Sequence, residues 1–211
     1  MSEPRRERAR VLAERYPAAR EALLFYAEIA EFQGDWRELR EVVMRAGPPI
    51  LRDAAARLTW EAIEQEPQGF FARVLRRCDS PQARVVETGV CPRCGELPQS
   101  ACLRPEGHGT AFFLVCSQCR NEWRFPRAHC PACGELDAEK IAYYTAEGVQ
   151  GKGLPHIQTR VCESCWRYLH VVDLEKDPAA VPDVDEVAAL AMDVWAWEQG
   201  WEKIRPNLLG I

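Results

Sequence analysis

Two short stretches decide how this chain folds: CPRCG at residues 91–95 and CPACG at residues 130–134. Each is followed by another Cys-x-x-Cys pair, CSQC at 116–119 and CESC at 162–165. Two intervening residues let both sulfurs of one tight turn face a point about 2.3 Å away, and two such turns close a tetrahedral cage around a metal ion. Because eight of the ten cysteines fall into these four pairs, we expect two tetracysteine metal sites.

Pairing in sequence order would make each site self-contained. The first would use Cys91, Cys94, Cys116 and Cys119, and the second Cys130, Cys133, Cys162 and Cys165. A crossed arrangement, in which the first pair joins the third, remains an alternative. In the first and third pairs a proline presets the turn and a glycine follows the second cysteine, where it accepts a positive φ. Such a turn points backbone N–H groups at the thiolates.

A cage of four sulfurs leaves its metal ion no open position for water or substrate. We therefore expect the two ions to be structural or, if they are iron, one-electron carriers; sulfur ligands alone do not discriminate zinc from iron. No catalytic combination of side chains stands out, so a non-enzyme is expected. The unpaired Cys78 and Cys102 are read as buried structural thiols, with a redox or substitute-ligand role as the alternative. Four histidines near the turns are weaker ligand candidates: His108, His129, His156 and His170.

The composition is that of an ordinary globular protein, with 211 residues, 47% hydrophobic and 28% charged. No apolar run reaches the length of a membrane span, and residues 1–15 are too charged for an export signal. We therefore expect a cytoplasmic protein, in which paired cysteines indicate metal binding rather than disulfides. The net charge of −5 is concentrated after residue 172. Residues 88–172 carry only one excess positive charge, which argues against nucleic acid as a partner.

The spacing of apolar residues predicts an α+β protein in four parts. Residues 1–87 should form a helical bundle with four amphipathic helices, over about 22–32, 39–46, 51–62 and 70–75. Residues 88–126 and 127–174 should form two similar metal ribbons, since each opens with Cys-Pro-x-Cys-Gly and contains a later pair. Strands are expected at 111–115, 122–125, 141–144, 157–161 and 168–172, and the glycine-bearing stretch 148–155 should connect two of them.

An acidic C-terminal helix and tail should occupy residues 175–211. Asp183 is the expected N-cap, and Glu186 would complete a capping box. One apolar stripe follows at helical spacing: Val187, Leu190, Val194, Trp197 and Trp201, with Trp195 at its edge. This stripe is expected to pack on the protein's own core; a partner surface with exposed indoles is the alternative.

These residues resemble the FdhE family of formate dehydrogenase accessory proteins. The resemblance rests on the four cysteine pairs in this order, on LP at 97–98, EW at 122–123 and YL at 168–169, and on the closing RPNLLG at 205–210. It implies a helical N-terminal region followed by two rubredoxin-like modules, with the eight paired cysteines as metal ligands. It also implies a non-enzymatic, chaperone-like role in the cytoplasm, in which the protein binds the catalytic subunit of a formate dehydrogenase during maturation.

Two other readings compete with this accessory role. The same cages filled with iron would make a rubredoxin-like redox carrier or sensor. A nucleic-acid-binding zinc ribbon is the third reading, in which Phe112, Phe113, Trp123 and Trp166 would stack on bases.

Metal removal tests the structural reading of the cages. Metal binding to such sites contributes about 10–16 kcal/mol near neutral pH, which is comparable to the stability of a whole domain. We therefore predict that residues 88–174 unfold when a chelator removes the ions. Circular dichroism should show loss of strand signal, and its return when metal is restored; intact strands after complete chelation would contradict the prediction.

Overall fold

The computed structural model describes residues 3–30, 32–76, 89–146 and 153–210. Six α-helices occupy its part before Gly89: α1 (Glu3–Arg15), α2 (Arg20–Ala30), α3 (Trp36–Ala46), α4 (Pro49–Ala56), α5 (Trp60–Gln65) and α6 (Phe70–Leu75). Local signals explain their starts. The Asp35 carboxylate accepts the N–H of Arg37 and Glu38, and the Glu38 side chain accepts the N–H of Asp35, which is a complete capping box before α3.

The predicted helical region is confirmed, but the predicted count of four helices is wrong. The helix α1 was not among the four, and the stretch 51–62 is divided between α4 and α5. The division occurs because the Thr59 hydroxyl accepts the N–H of Ala62 at 3.2 Å and so starts a new helix.

Within the described residues, seven strands form one sheet: β1 (Pro98–Glu106), β2 (Gly109–Cys116), β3 (Glu122–Arg124), β4 (Ile141–Thr145), β5 (Ile157–Cys162), β6 (Arg167–Asp173) and β7 (Glu202–Lys203). Their order is β3-β2-β1-β6-β5-β4, and the short β7 pairs with the beginning of β6. All five predicted strands are present, whereas β1 and β7 were not predicted. The predicted connection at 148–155 lies largely outside the described residues.

The two cysteine-containing halves of the chain meet in the middle of this sheet. Within each half the strands are antiparallel, but β1 of the first half pairs in parallel with β6 of the second. The register joins Ser100 to His170 and Leu103 to Asp173. The halves therefore share one continuous sheet, and the four-part division of the chain stays a prediction.

The helices cover one face of the sheet. A single hydrophobic cluster includes Leu23 and Tyr26 of α2, Cys102 of β1 and Val172 of β6. The opposite face carries a second cluster around Phe112, Leu114 and Trp123, which also includes Cys91 and Cys116. Phe112 and Trp123 are thus core residues rather than surface rings that could stack on bases.

The expected C-terminal helix is present as two short helices, α7 (Pro182–Ala188) and α8 (Leu190–Glu198). The N-cap prediction is wrong: Val181 precedes α7 and Pro182 takes its first position, so Asp183 lies inside the helix. The prediction of a single apolar stripe is also wrong, because the break between α7 and α8 separates its members. Val187 is buried, whereas Val194 and Trp197 are exposed.

The acidic residues of α7 point into the protein. Asp183, Asp185 and Glu186 are all buried. Arg5 of α1 donates to Asp183 at 2.9 Å, and Arg8 of α1 binds both oxygens of Asp185, with its Nε 2.9 Å from Oδ2. Lys203 forms an ion pair with Glu186. The charge concentrated at the end of the chain is therefore partly neutralised inside the structure, where it ties α1 to α7.

Removal of the Arg8 cation should destabilise the protein far more than removal of an exposed one. The side chains of Arg8 and Asp185 are 10% and 0% exposed. Arg8→Gln would leave a buried carboxylate with only neutral donors and the His156 ring, and we predict a loss of about 3 kcal/mol in the free energy of unfolding. Urea denaturation of the metal-loaded protein measures it.

The matched control is Arg10→Gln on the same helix, whose pair with Glu7 is exposed and 3.7 Å long. Its effect should stay within about 0.5 kcal/mol. Equal stabilities of the two variants would show that the Arg8–Asp185 pair does not hold α1 in place.

Candidate metal centres

The first group of sulfurs forms where the β1–β2 hairpin begins and ends. Cys91 and Cys94 lie in the turn before β1, Cys116 ends β2, and Cys119 follows in the next turn. Their Sγ atoms are 3.3 Å apart for Cys94 and Cys116, and 3.6 Å apart for Cys91 and Cys119 and for Cys94 and Cys119. A tetrahedron with bonds of about 2.3 Å has edges of about 3.8 Å. The four donors therefore fit a metal ion after a small expansion.

The second group repeats this arrangement with β5 and β6. Cys130 and Cys133 precede β4, Cys162 ends β5, and Cys165 lies just before β6. The Sγ atoms of Cys130 and Cys165 are 3.8 Å apart, as are those of Cys133 and Cys162, so these two distances match the edge of the tetrahedron. The grouping in sequence order is confirmed, and in each group all four sulfurs lie within 4.8 Å of one another.

Both groups lie at the same end of the sheet. The strands β1 and β6 each begin just after a cysteine turn, and they run parallel. A parallel pair brings the beginnings of its strands together. The sheet topology therefore sets the two candidate metal centres side by side rather than at opposite ends.

The turns have the geometry that the sequence predicts. Gly95 and Gly134 adopt φ of 79° and 77°, and each donates its N–H to the carbonyl of the first cysteine, at 2.8 and 3.0 Å. The N–H groups of Arg93 and Ala132 lie 3.4 Å from the sulfurs of Cys91 and Cys130. These donors stabilise thiolate charge.

The other two turns reach the same backbone shape without glycine. Arg120 follows Cys119 with φ of 56°, and Trp166 follows Cys165 with φ of 57°. Their N–H groups donate to the carbonyls of Cys116 and Cys162 at 3.2 and 2.9 Å. Sequence reasoning missed this correspondence, which the alignment of the two Cys-x-x-Cys-x motifs would have revealed.

Hydrogen bonds and burial shift the thiol pKa values in opposite directions within the first group. Burial raises the pKa of Cys91 to about 11. The neighbouring thiol of Cys116 donates to Cys119 and lowers the pKa of Cys119 to about 5. One thiolate therefore forms readily while others keep their protons, so a metal ion that enters must displace protons.

Two buried polar residues brace the turns, and sequence reasoning missed both. The Arg160 guanidinium donates to the carbonyls of Arg127 and His129, at 3.3 and 2.6 Å, just before Cys130. The Gln118 amide, within the second pair, donates to the carbonyls of Arg73 and Arg76 at 2.8 and 3.2 Å. Gln118 thereby fixes the first group against the end of α6.

In the described part of the chain each group consists of its four cysteines alone. The histidine candidates lie elsewhere: His108 is exposed, the His129 ring contacts Phe125, His156 contacts Asp185, and His170 contacts Asp193. Four sulfur donors fill a tetrahedral ion and leave no position for substrate. Both groups can thus hold a metal ion, and their donor chemistry suits a closed structural or redox site.

A third group, which the sequence did not suggest, consists of His156, Asp177 and Asp185. Arg8 already neutralises the two carboxylates of this group. The Arg8 guanidinium lies 2.6 Å from the Asp177 carboxylate and also binds Asp185. This group is a buried ion network that positions α1 rather than a third metal site.

Of the two remaining cysteines, Cys102 lies within the described residues. Cys102 is fully buried in β1, as predicted, and burial together with the nearby Glu122 raises its pKa to about 12. A thiol with so high a pKa is unreactive at neutral pH. Cys78 lies outside the described residues.

Among the described helices, none combines the length and the apolarity that a membrane crossing requires.

The fold and the sulfur geometry define a protein with two fused tetracysteine modules and a helical cover. Two family models match it: the central domain of FdhE over residues 90–127 and the C-terminal domain of FdhE over residues 128–209. Together they span more than half of the chain. The chain belongs to the FdhE family, which confirms the resemblance seen in the sequence.

Individual relatives agree with this assignment. A "Protein FdhE homolog" from Aquifex aeolicus is 35% identical over 121 residues, which cover 57% of this chain and 41% of the relative. A homologue with the same name from Pseudomonas aeruginosa is 35% identical over 133 residues, covering 61% and 42%. The chain thus spans about two fifths of the length of these curated relatives.

The fold also matches a solved structure, the FdhE protein from Pseudomonas aeruginosa. The TM-score is 0.60 at 23% identity, with 99% of this chain and 94% of that chain covered. This likeness shows the shared fold, and it includes the helical region that the family models do not reach.

The two sulfur groups should bind metal independently. Elemental analysis of protein purified without oxygen should find two ions per chain. Cys94→Ser removes one sulfur of the first group only, and we predict that one ion remains. Cys102→Ala, which changes a buried cysteine outside both groups, should keep two. Two ions in the Cys94 variant, or none in the unaltered protein, would contradict the assignment of ligands.

Proposed function

We propose that this protein is a non-enzymatic accessory factor for the maturation of a formate dehydrogenase. It binds the immature catalytic subunit in the cytoplasm. Membership of the FdhE family is the observation that carries this proposal. The closed sulfur groups support it, because sites without an open coordination position hold a scaffold in shape rather than transform a substrate.

In this proposal all eight paired cysteines are metal ligands. Cys91, Cys94, Cys116 and Cys119 hold one ion, and Cys130, Cys133, Cys162 and Cys165 hold the other; each ion is zinc or iron. The ions fix the turns from which β1 and β6 start, so they maintain the sheet on which the helices pack. The alternative of an iron redox carrier or sensor is not favoured, since membership of the FdhE family supports the accessory role.

The surface beside the second group is the best candidate for contact with the subunit. Trp166 stacks on Trp201 with ring centroids 4.8 Å apart, and Trp197 is 76% exposed. Trp197 and Trp201 both border one shallow cavity. We call Trp166, Trp197 and Trp201 the tryptophan surface. Exposed tryptophans are costly in water and are enriched at the centres of protein interfaces.

Co-purification tests the accessory role directly. The full chain, expressed at native level with its formate dehydrogenase, should recover the catalytic subunit in its immature form. Trp197→Ala should weaken the binding about tenfold or more, because a central interface tryptophan contributes over about 1.4 kcal/mol. Since Trp197 is exposed, its loss leaves the core intact.

Ile50→Ala is the matched control, because Ile50 is 77% exposed on α4 and does not line the cavity that Trp197 and Trp201 border. It should bind as the unaltered protein does. Repeated failure of the full chain to recover the subunit would refute the accessory role. Equal binding by the two variants would refute only the assignment of the tryptophan surface.

A further inference from the structure

A cavity of about 420 Å³ lies between the helices and the first sulfur group. The end of α2, the end of α6 and the turn after β2 form its walls, and Cys119 lies at its edge. This volume falls in the range of about 300–1,000 Å³ that is common for small-molecule sites. Four arginines line it: Arg73, Arg76, Arg93 and Arg120. None of its described lining residues is acidic.

Among the described residues, the hydrogen-bond acceptors of the Arg73 guanidinium are all carbonyl oxygens. Arg73 is 6% exposed. Its guanidinium donates to the carbonyls of Asn207, Pro206 and Ser117, at 3.0, 3.2 and 3.4 Å. Burial, together with the nearby Arg205, lowers the pKa of Arg73. A buried cation that hydrogen-bonds only to neutral oxygens is costly even with the attraction of the nearby Glu96, and an entering anion would lower that cost.

The carboxylates that the structure describes near the cavity are each shared by two or more cations. Glu96 lies 3.2 Å from Arg76 and 3.4 Å from Arg205, and its charge also acts on Arg73, so three cations share it. Asp183 lies 4.0 Å from Arg120, but it also forms the shorter pair with Arg5. Within the described part of the chain, the charge around the cavity is positive, whereas the net charge of the whole chain is −5. Such a concentration against the overall charge is typical of an anion site.

The metal group next to the cavity offers a simpler reason for the arginines. Four thiolates around a divalent ion carry a charge of about −2, and nearby arginines could serve only to balance it. The hydrogen bonds described for Arg73 and Arg76 go to oxygen atoms, not to sulfur. Arg76 is also exposed and reaches the cavity from its rim. These contacts favour a role of the arginines in binding a ligand in the cavity over a role in balancing the thiolate charge.

The geometry points to a binding site for an oxyanion, either a carboxylate or a phosphate group, in the cavity bordered by Arg73, Arg76, Arg93 and Arg120. The guanidinium fork matches both anions with two parallel hydrogen bonds. The inference goes beyond the accessory role and does not depend on it.

Titration of the isolated, metal-loaded chain tests the site. Calorimetry and NMR would follow binding of inorganic phosphate and, separately, of an acetylated tetraglutamate peptide. At least one probe should saturate with Kd below about 1 mM. The double variant Arg76→Gln, Arg93→Gln should bind it at least about tenfold more weakly, because it removes two of the four guanidinium groups that can donate charged hydrogen bonds to the anion.

The control is the double variant Arg37→Gln, Arg124→Gln, which removes the same charge from two exposed positions outside the cavity. It should stay within about twofold of the unaltered protein, since distant exposed charges are screened. Binding of phosphate alone would identify a small-molecule ligand, and binding of the peptide alone an acidic protein segment; either supports the site.

Three outcomes would overturn it. The first is that neither probe saturates. The second is that the two double variants weaken binding equally, which would indicate general charge attraction. The third is that the cavity variant loses metal in parallel with anion binding, which would assign the arginines to the sulfur group. The assay needs no formate dehydrogenase, so its failure and a failure of co-purification are separate results.

Discussion

The parallel pairing of β1 with β6 is the constraint on which the rest of this structure depends. Each of these strands begins after a cysteine turn, and each is held on its other side by an antiparallel partner. The pairing joins the two repeated units into one sheet. One face of this sheet then forms a continuous apolar surface on which the helices pack. The helices α1 and α2 then pack against α7, and the ion pairs from Arg5 and Arg8 complete the contact.

Much of this arrangement could be predicted from the sequence because it depends on local spacing. A Cys-x-x-Cys pair fixes its own turn, and a following hairpin brings the second pair back to the first; the grouping in sequence order needed nothing more. The five predicted strands are rich in β-branched and aromatic residues. The central strand β1 was missed because its sequence PQSACLRPE has two prolines and no apolar alternation.

The rest depends on partners that lie far apart in the chain. The sequence predicted Asp183 and Glu186 as local capping residues of a helix, yet the arginine that binds Asp183 is 178 residues away. No periodicity in a single sequence reveals such a contact. Likewise, the cavity arginines come from α6 and from two different turns, so their convergence becomes visible only in three dimensions.

The matched backbone at Arg120 and Trp166 shows how the two halves of the chain differ. A left-handed conformation costs a residue with a side chain about 1 kcal/mol, and glycine would avoid that cost. Both positions nevertheless keep large side chains: Arg120 borders the arginine-lined cavity, and Trp166 belongs to the tryptophan surface. Equivalent corners of the two halves therefore have opposite surroundings: one presents a charged side chain beside other cations, and the other an indole stacked on a second indole.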